Sequence, residues 1–150
     1  MGPLANEEQF KSVLNHLARG TNEGATVIVG GGQCEAGFPD EGYYVAPTLL
    51  QGSSENICCR EEIFGPVAYL LKFSRDADAI AITNALRYGL ANSVWSSDLS
   101  RANRVAEQLI SGNTWINAHN VFAYGLPYGE VNQSGVGGGV NSPETYYDYL

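Results

Sequence analysis

The sequence predicts an α/β fold, a largely parallel sheet with flanking helices. Three observations carry this expectation. Short β-branched runs such as Ala25-Thr26-Val27-Ile28-Val29 alternate with segments of helical period, glycines and prolines punctuate the joints, and the segments between strands are long enough for crossover helices.

Residues 6–19 form the first predicted helix, because Phe10, Val13, Leu14 and Leu17 recur at steps of three and four. Asn6 is a suitable cap before Glu7 and Glu8. A turn at Asn22-Glu23-Gly24 leads into residues 25–29, whose β-branched side chains suggest a buried strand. Gly30-Gly31-Gly32 ends it, and a loop runs on to Gly42. Residues 43–50 read as extended, with Pro47 marking an edge strand or the end of one. Residues 67–73 (Val-Ala-Tyr-Leu-Leu-Lys-Phe) are the next strand.

Asp76 is expected to cap a helix reaching about Arg87, stopped by Gly89. Residues 91–96 return as a strand. Asp98 caps a further helix with Leu99, Ala102, Val105, Ala106 and Leu109 on one face and Gly112 as its stop, and residues 114–117 form the following strand. Gly135, Gly137, Gly138 and Gly139 then mark a sharply turning loop. Pro143 opens a last helical turn over residues 144–150, where Tyr146, Tyr147 and Tyr149 crowd together. The sequence shows no internal repeat and no sign of a second domain.

At 150 residues, 44% hydrophobic and 16% charged, the chain suits one ordinary domain rather than a disordered tail. The net charge of −8, with basic residues scattered, argues against nucleic acid and anionic membranes as partners. No run approaches the ~20 apolar residues of a membrane span. The first residues lack the basic start and apolar run of a signal peptide, so the expected location is cytoplasmic. Three cysteines, Cys34, Cys58 and Cys59, have no Cys-x-x-Cys spacing, and neither His16 nor His119 stands at ligand spacing from them. Reduced thiols and no metal site are the expectation.

The densest cluster of informative residues is Arg60-Glu61-Glu62-Ile63-Phe64-Gly65-Pro66-Val67. A carboxylate at Glu62 can accept hydrogen bonds from vicinal hydroxyls such as those of a ribose, and Phe64 can pack on a flat heterocycle. Read from the residues alone, the favoured reading is the plainer one, a surface carboxylate at Glu62 and a core anchor at Phe64.

This segment resembles the Glu-Glu-Ile-Phe-Gly-Pro signature of the aldehyde dehydrogenase superfamily. In the family's order stand also Gly2-Pro3-Leu4 with Gln9-Phe10, Tyr44-Val45-Ala46-Pro47-Thr48, Tyr88-Gly89-Leu90-Ala91, Trp115-Ile116-Asn117, and Pro127-Tyr128-Gly129 with Ser134-Gly135. The resemblance runs nearly end to end. It implies that residues 1–150 are the C-terminal part of a catalytic domain, without the dinucleotide-binding domain. It implies NAD or NADP as cofactor, with Glu62, Phe64 and Gln9 as cofactor-binding residues, and a small-molecule aldehyde, oxidised to the carboxylic acid, as substrate. Asn120, Val121, Phe122 and Tyr128 are implied to line the substrate funnel, and Phe122, Tyr124 and Tyr128 would make its wall aromatic. Ordinary core or subunit contacts are the other reading of those aromatics. A homo-oligomer is expected, the family's final pairing strand lying beyond Leu150.

The family's nucleophilic thiolate and general base belong before Gly2-Pro3, so no catalytic residue is expected in this chain, and the isolated chain should be inactive. Gly31-Gly32-Gln33-Cys34 imitates the nucleophile's Gly-Gln setting but falls only 28 positions before Glu62. Cys34 is therefore read as a decoy, and Cys58 and Cys59 as local substitutions. The Gly-rich stretches lack the strand–Gly-x-Gly-x-x-Gly–helix context of a pyrophosphate loop. Glu130, Asn132 and Gly138-Gly139 depart from the family's usual Gly, Lys and Arg-Glu, which puts the funnel's closing loop in doubt. The alternative function is a stand-alone binding or oligomerisation protein derived from such an enzyme.

Overall fold

The computed structural model describes residues 1–34, 42–136, 140–147 and 150. They form two compact units, Met1–Lys72 and Phe73–Leu150.

In the first unit, helix α1 (Glu7–Asn22) starts where the Asn6 side chain accepts a hydrogen bond from the Gln9 amide at 2.8 Å. Glu7 and Glu8 favour that end and Arg19 the other, each opposite in sign to the local helix dipole. The buried stripe of α1 is Val13, Leu17 and Gly20. Strands β1 (Thr26–Val29), β2 (Thr48–Gln51) and β3 (Val67–Leu70) follow, with the short helix α2 (Ile57–Arg60) between the last two. The sheet order is β1-β2-β3, antiparallel between β1 and β2 and parallel between β2 and β3, Thr48 lying opposite Val67. Val13, Leu17, Val45, Leu50, Cys58 and Ile63 make the core, so α1, α2 and the central strand share one apolar seam.

Two expectations are corrected here. β1 is a strand, but not a buried one: it lies at the sheet edge with Ile28 49% and Val29 58% exposed. The segment read as extended from residue 43 is a strand only from Thr48, and that strand is β2, the centre of the sheet. Of the two readings of Pro47, the end of a strand therefore holds and the edge strand does not. Pro47 is tolerated because it precedes β2, where its missing N–H breaks no ladder bond, and the Thr48 amide donates to the Pro66 carbonyl at 2.8 Å. The loop expected up to Gly42 falls, for residues 35–41, outside the described residues.

The second unit contains α3 (Asp76–Asn84), β4 (Tyr88–Gly89), β5 (Ala91–Val94), α4 (Leu99–Ala106), β6 (Asn113–Ile116), β7 (Val131–Asn132) and the one-turn α5 (Glu144–Tyr147). β5 and β6 pair in parallel, Ser93 opposite Trp115, with α4 as the crossover; β4 and β7 pair antiparallel. Asp98 caps α4 as expected, accepting from the Arg101 amide at 2.9 Å.

Asp76 does not cap α3. It is the first helical residue, Arg75 occupies the cap position without a side-chain cap bond, and the Asp76 carboxylate instead takes a two-pronged contact from the Arg101 guanidinium. That contact comes from a residue 25 positions later, so local pattern could not show it. The helix stops at Asn84, whose side chain is drawn to α4's far end: Nδ2 donates to the Gln108 carbonyl and Oδ1 accepts from the Ile110 amide. Gly89, expected as a helix stop, belongs to β4, where a Cβ would meet Val131 of β7. Gly137, Gly138, Gly139 and Tyr149 lie outside the described residues. The α/β class holds, with parallel and antiparallel pairings mixed.

Candidate functional site

The signature segment of the first unit is built by alternation. Ile63 turns inward and is 9% exposed, joining the core beside Val13 and Leu50, while Glu62 and Phe64 on either side face out. Phe64 is 74% exposed and has φ of 50°, a left-handed backbone that costs a bulky residue about 1–2 kcal/mol. The core anchor is Ile63, and the reading of Phe64 as one is set aside.

Gln9 holds this strained turn. Its side-chain Nε2 donates to the Ile63 carbonyl at 2.9 Å and the Phe64 carbonyl at 2.8 Å. The next residue must be glycine, since a Cβ at Gly65 would lie 2.7 Å from Val13 Cγ2 on α1. Pro66 then turns the chain into β3, and the Val67 amide closes a tight turn onto the Gly65 carbonyl at 2.7 Å. The three residues expected at the cofactor are thus brought together, with Gln9 bracing the backbone that presents Phe64.

The thiols have different surroundings. Cys58 is buried between α1 and α2, its Sγ donating to the His16 carbonyl at 3.0 Å. Burial pushes its thiol up, with Glu23 adding to the effect, and burial likewise raises Cys59. Both shifts oppose thiolate formation, the reverse of what a nucleophile needs. Cys34 is half-buried, its amide bonded to the Tyr44 carbonyl at 3.2 Å.

The second unit holds a cavity of about 390 Å³ whose lining includes Trp115, Val121, Phe122, Leu126, Pro127 and Tyr128. Phe122 and Tyr128 meet edge to face with centroids 4.8 Å apart, and Trp115 tilts against Tyr128 at 6.1 Å. Three of the four funnel residues expected, Val121, Phe122 and Tyr128, therefore share one wall. Asn120 does not line the cavity; it has φ of 52° and turns the chain at an exposed position. Tyr124 is fully exposed and contributes nothing to the wall. Trp115 was missed as a lining residue because a strand's two faces cannot be told apart when both are half-buried, as they are along β6. Glu130, one of the departures from the family pattern, lies over Gly135, where any Cβ would collide with its carboxyl end. That departure is accommodated by a glycine. Three aromatic rings, Trp115, Phe122 and Tyr128, are in the lining, and aromatic faces suit flat or cationic groups.

The sequence matches the Aldehyde dehydrogenase family over residues 1–150. It is 41% identical over 138 residues to betaine aldehyde dehydrogenase of Brucella anthropi, covering 91% of this chain and 28% of that protein. Among solved structures, betaine aldehyde dehydrogenase of Staphylococcus aureus in complex with NAD+ superposes with a TM-score of 0.93 at 32% identity, over 100% of this chain and 30% of that one. PnpE in complex with nicotinamide adenine dinucleotide gives 0.92 at 34% identity, over 99% and 30%. The chain thus spans under a third of the length of the relatives it matches.

Proposed function

The chain belongs to the aldehyde dehydrogenase family, and from that premise we propose that it supplies the nicotinamide-side contacts and the substrate wall of an NAD(P)-dependent enzyme. The reaction converts aldehyde, water and NAD(P)+ to carboxylic acid, NAD(P)H and a proton. The observation that carries the reading is Phe64: an exposed aromatic ring held at a left-handed backbone by Gln9. Strain of this kind persists where the surrounding structure enforces it, and it presents a ring face that a relaxed turn would not.

The residues fit a nicotinamide riboside. Phe64 offers its face to the pyridinium ring, and Glu62, exposed two positions earlier, offers carboxylate acceptors to ribose hydroxyls. A bound nicotinamide would supply the hydride acceptor that the oxidation needs. The chain's own share is to bind and orient: Gln9 braces, Phe64 stacks, Glu62 accepts. The nucleophile and base are assigned to other parts of such an enzyme, consistent with the raised Cys58 and Cys59 thiols.

For the substrate, the reading extends to an aldehyde with a quaternary ammonium group, betaine aldehyde in the first instance, as the relatives' names indicate. Trp115, Phe122 and Tyr128 support it, because aromatic faces attract such cations by about 0.5–2 kcal/mol each. A cytoplasmic homo-oligomer completes the reading; the three cysteines are free, and no helix among the described residues is long and apolar enough to cross a membrane.

Saturation-transfer NMR of NAD+ with the folded chain tests the cofactor assignment. The nicotinamide and adjacent ribose protons should receive saturation, and Phe64→Ala should abolish it. Saturation confined to adenine would overturn the assignment. Aldehyde-dependent NADH formation by the same sample should be absent, and turnover lost in Cys34→Ala would relocate the nucleophile to this chain.

A further inference from the structure

Trp115 stands where β5 and β6 pair, directly opposite Ser93. The chain leaves β6 at Asn117, which has φ of 52° and whose side-chain amide both donates to the Ser96 carbonyl and accepts from the Ser96 amide, each at 2.9 Å. The exit from the sheet is thus fixed. Two residues on, His119 Nδ1 meets Ser93 Oγ at 3.1 Å, and its ring stands edge-on to Trp115 at 5.4 Å. After the turn at Asn120, the chain comes back to the same indole: Trp115 Nε1 donates to the Val121 carbonyl at 3.0 Å.

The far half of the wall is referred to the same ring, because Tyr128 packs against Trp115. One side chain therefore contacts both ends of the segment from 121 to 128, by a directional hydrogen bond at one end and by ring packing at the other. Phe122 follows Val121 and meets Tyr128 edge to face, so this touching pair on the cavity's wall is held from Trp115 at both ends.

We infer that Trp115 is the positioning residue of this wall, holding the touching rings of Phe122 and Tyr128 in place and so fixing the aromatic face that the cavity offers to a substrate group. The inference rests on the reading of the cavity as the substrate wall. Its mechanical part can be tested without a ligand. Trp95, with 67% of its surface exposed, provides the reference within the same chain.

NMR on the full chain is the experiment, by hydrogen exchange of the indoles and heteronuclear NOEs of the backbone. The Trp115 indole N–H should exchange at least about tenfold more slowly than that of Trp95, since a bonded donor must open first. In Trp115→Phe, which keeps an aromatic ring but lacks the donor, residues 119–123 should become more mobile, with clearly lower backbone heteronuclear NOEs than in the wild type. Amides of β5 should be unchanged, whereas a purely structural role would loosen them as well. Equal indole rates, or a variant whose amides in 119–123 do not change, overturns the inference. Binding of phenyltrimethylammonium, followed on the Tyr128 ring resonances, then separates the two claims. Binding by the wild type and about tenfold weaker binding by Trp115→Phe supports both. Greater mobility in 119–123 with no binding by the wild type overturns the substrate-wall reading instead.

Discussion

The Gln9 side chain and the Phe64 carbonyl lie 55 positions apart in sequence and 2.8 Å apart in space. The same Nε2 also donates to Ile63, so one amide nitrogen satisfies two consecutive carbonyls of a turn whose second residue is at positive φ. Two donors from a single group are what a glutamine, and not a glutamate, can provide. Helix α1 supplies the rigid base, and the Asn6 cap fixes the turn of helix that carries Gln9.

Gln9→Glu should therefore be destabilising, by about 1–3 kcal/mol, because it replaces a shared donor with a carboxylate facing two carbonyls. Urea unfolding measures this directly. The variant should also lose saturation transfer to nicotinamide, since Phe64 would no longer be held. An unchanged urea midpoint would show that the brace contributes nothing to the fold.

Phe64→Gly should behave in the opposite way to most aromatic-to-glycine changes. The ring is 74% exposed and leaves little packing to lose, while glycine adopts a φ of 50° without penalty. Stability should stay level or rise by up to about 1 kcal/mol, the relief of left-handed strain partly offset by the added flexibility of the unfolded chain. Nicotinamide contact should vanish. A clear loss of thermal stability would mean that the ring packs on something the fold needs.

Gly20→Ala tests how closely α1 and α2 approach. Alanine favours a helix interior by about 1 kcal/mol over glycine, yet a Cβ here would collide with Cys58 Sγ and lie 3.1 Å from Asn56 Oδ1. Asn56 is itself buried and fixed, donating to the Gly20 carbonyl at 2.8 Å. The crowding should outweigh the propensity, with a net loss of about 1–3 kcal/mol by chemical denaturation. Adding Cys58→Ala should recover part of it; strict additivity of the two changes would rule out the contact as the cause.

Cys58 gives a pH dependence of definite sign. Its thiol is raised in the folded state, first by burial and then by Glu23, so the folded chain holds this proton more tightly than the unfolded chain does. The stability this contributes is complete below the ordinary thiol range and is lost as pH rises through the folded value. Unfolding midpoints should fall at alkaline pH more steeply in the wild type than in Cys58→Ala. At neutral pH, iodoacetamide should label Cys58 at least about tenfold more slowly than half-buried Cys34. Equal labelling rates would contradict the burial of Cys58.

What the sequence by itself determined were the elements with local causes. Asn6 and Asp98 cap α1 and α4 because each cap bond closes over three residues. The apolar spacing of Val13 and Leu17 marks the buried stripe of α1 for the same reason. The string of residues 61–66 was legible as a signature, and its family resemblance brought Gln9 into the same account. Tertiary structure decided the rest, because the deciding partner is distant in the chain. β1 is exposed since nothing in the first unit covers its side chains, a fact its β-branched residues cannot report. Asp76 pairs with Arg101 rather than capping, and Pro47 is admitted to the approach of a central strand because Thr48 finds Pro66. Ile63, not Phe64, is the buried anchor, since only the core geometry tells two adjacent apolar residues apart. The indole of Trp115 became visible as part of the wall only when the chain, after leaving β6, returned to it at Val121. Caps and periodicity act over three or four residues; side-chain contacts between elements depend on where the chain comes back, and that is a property of the whole fold.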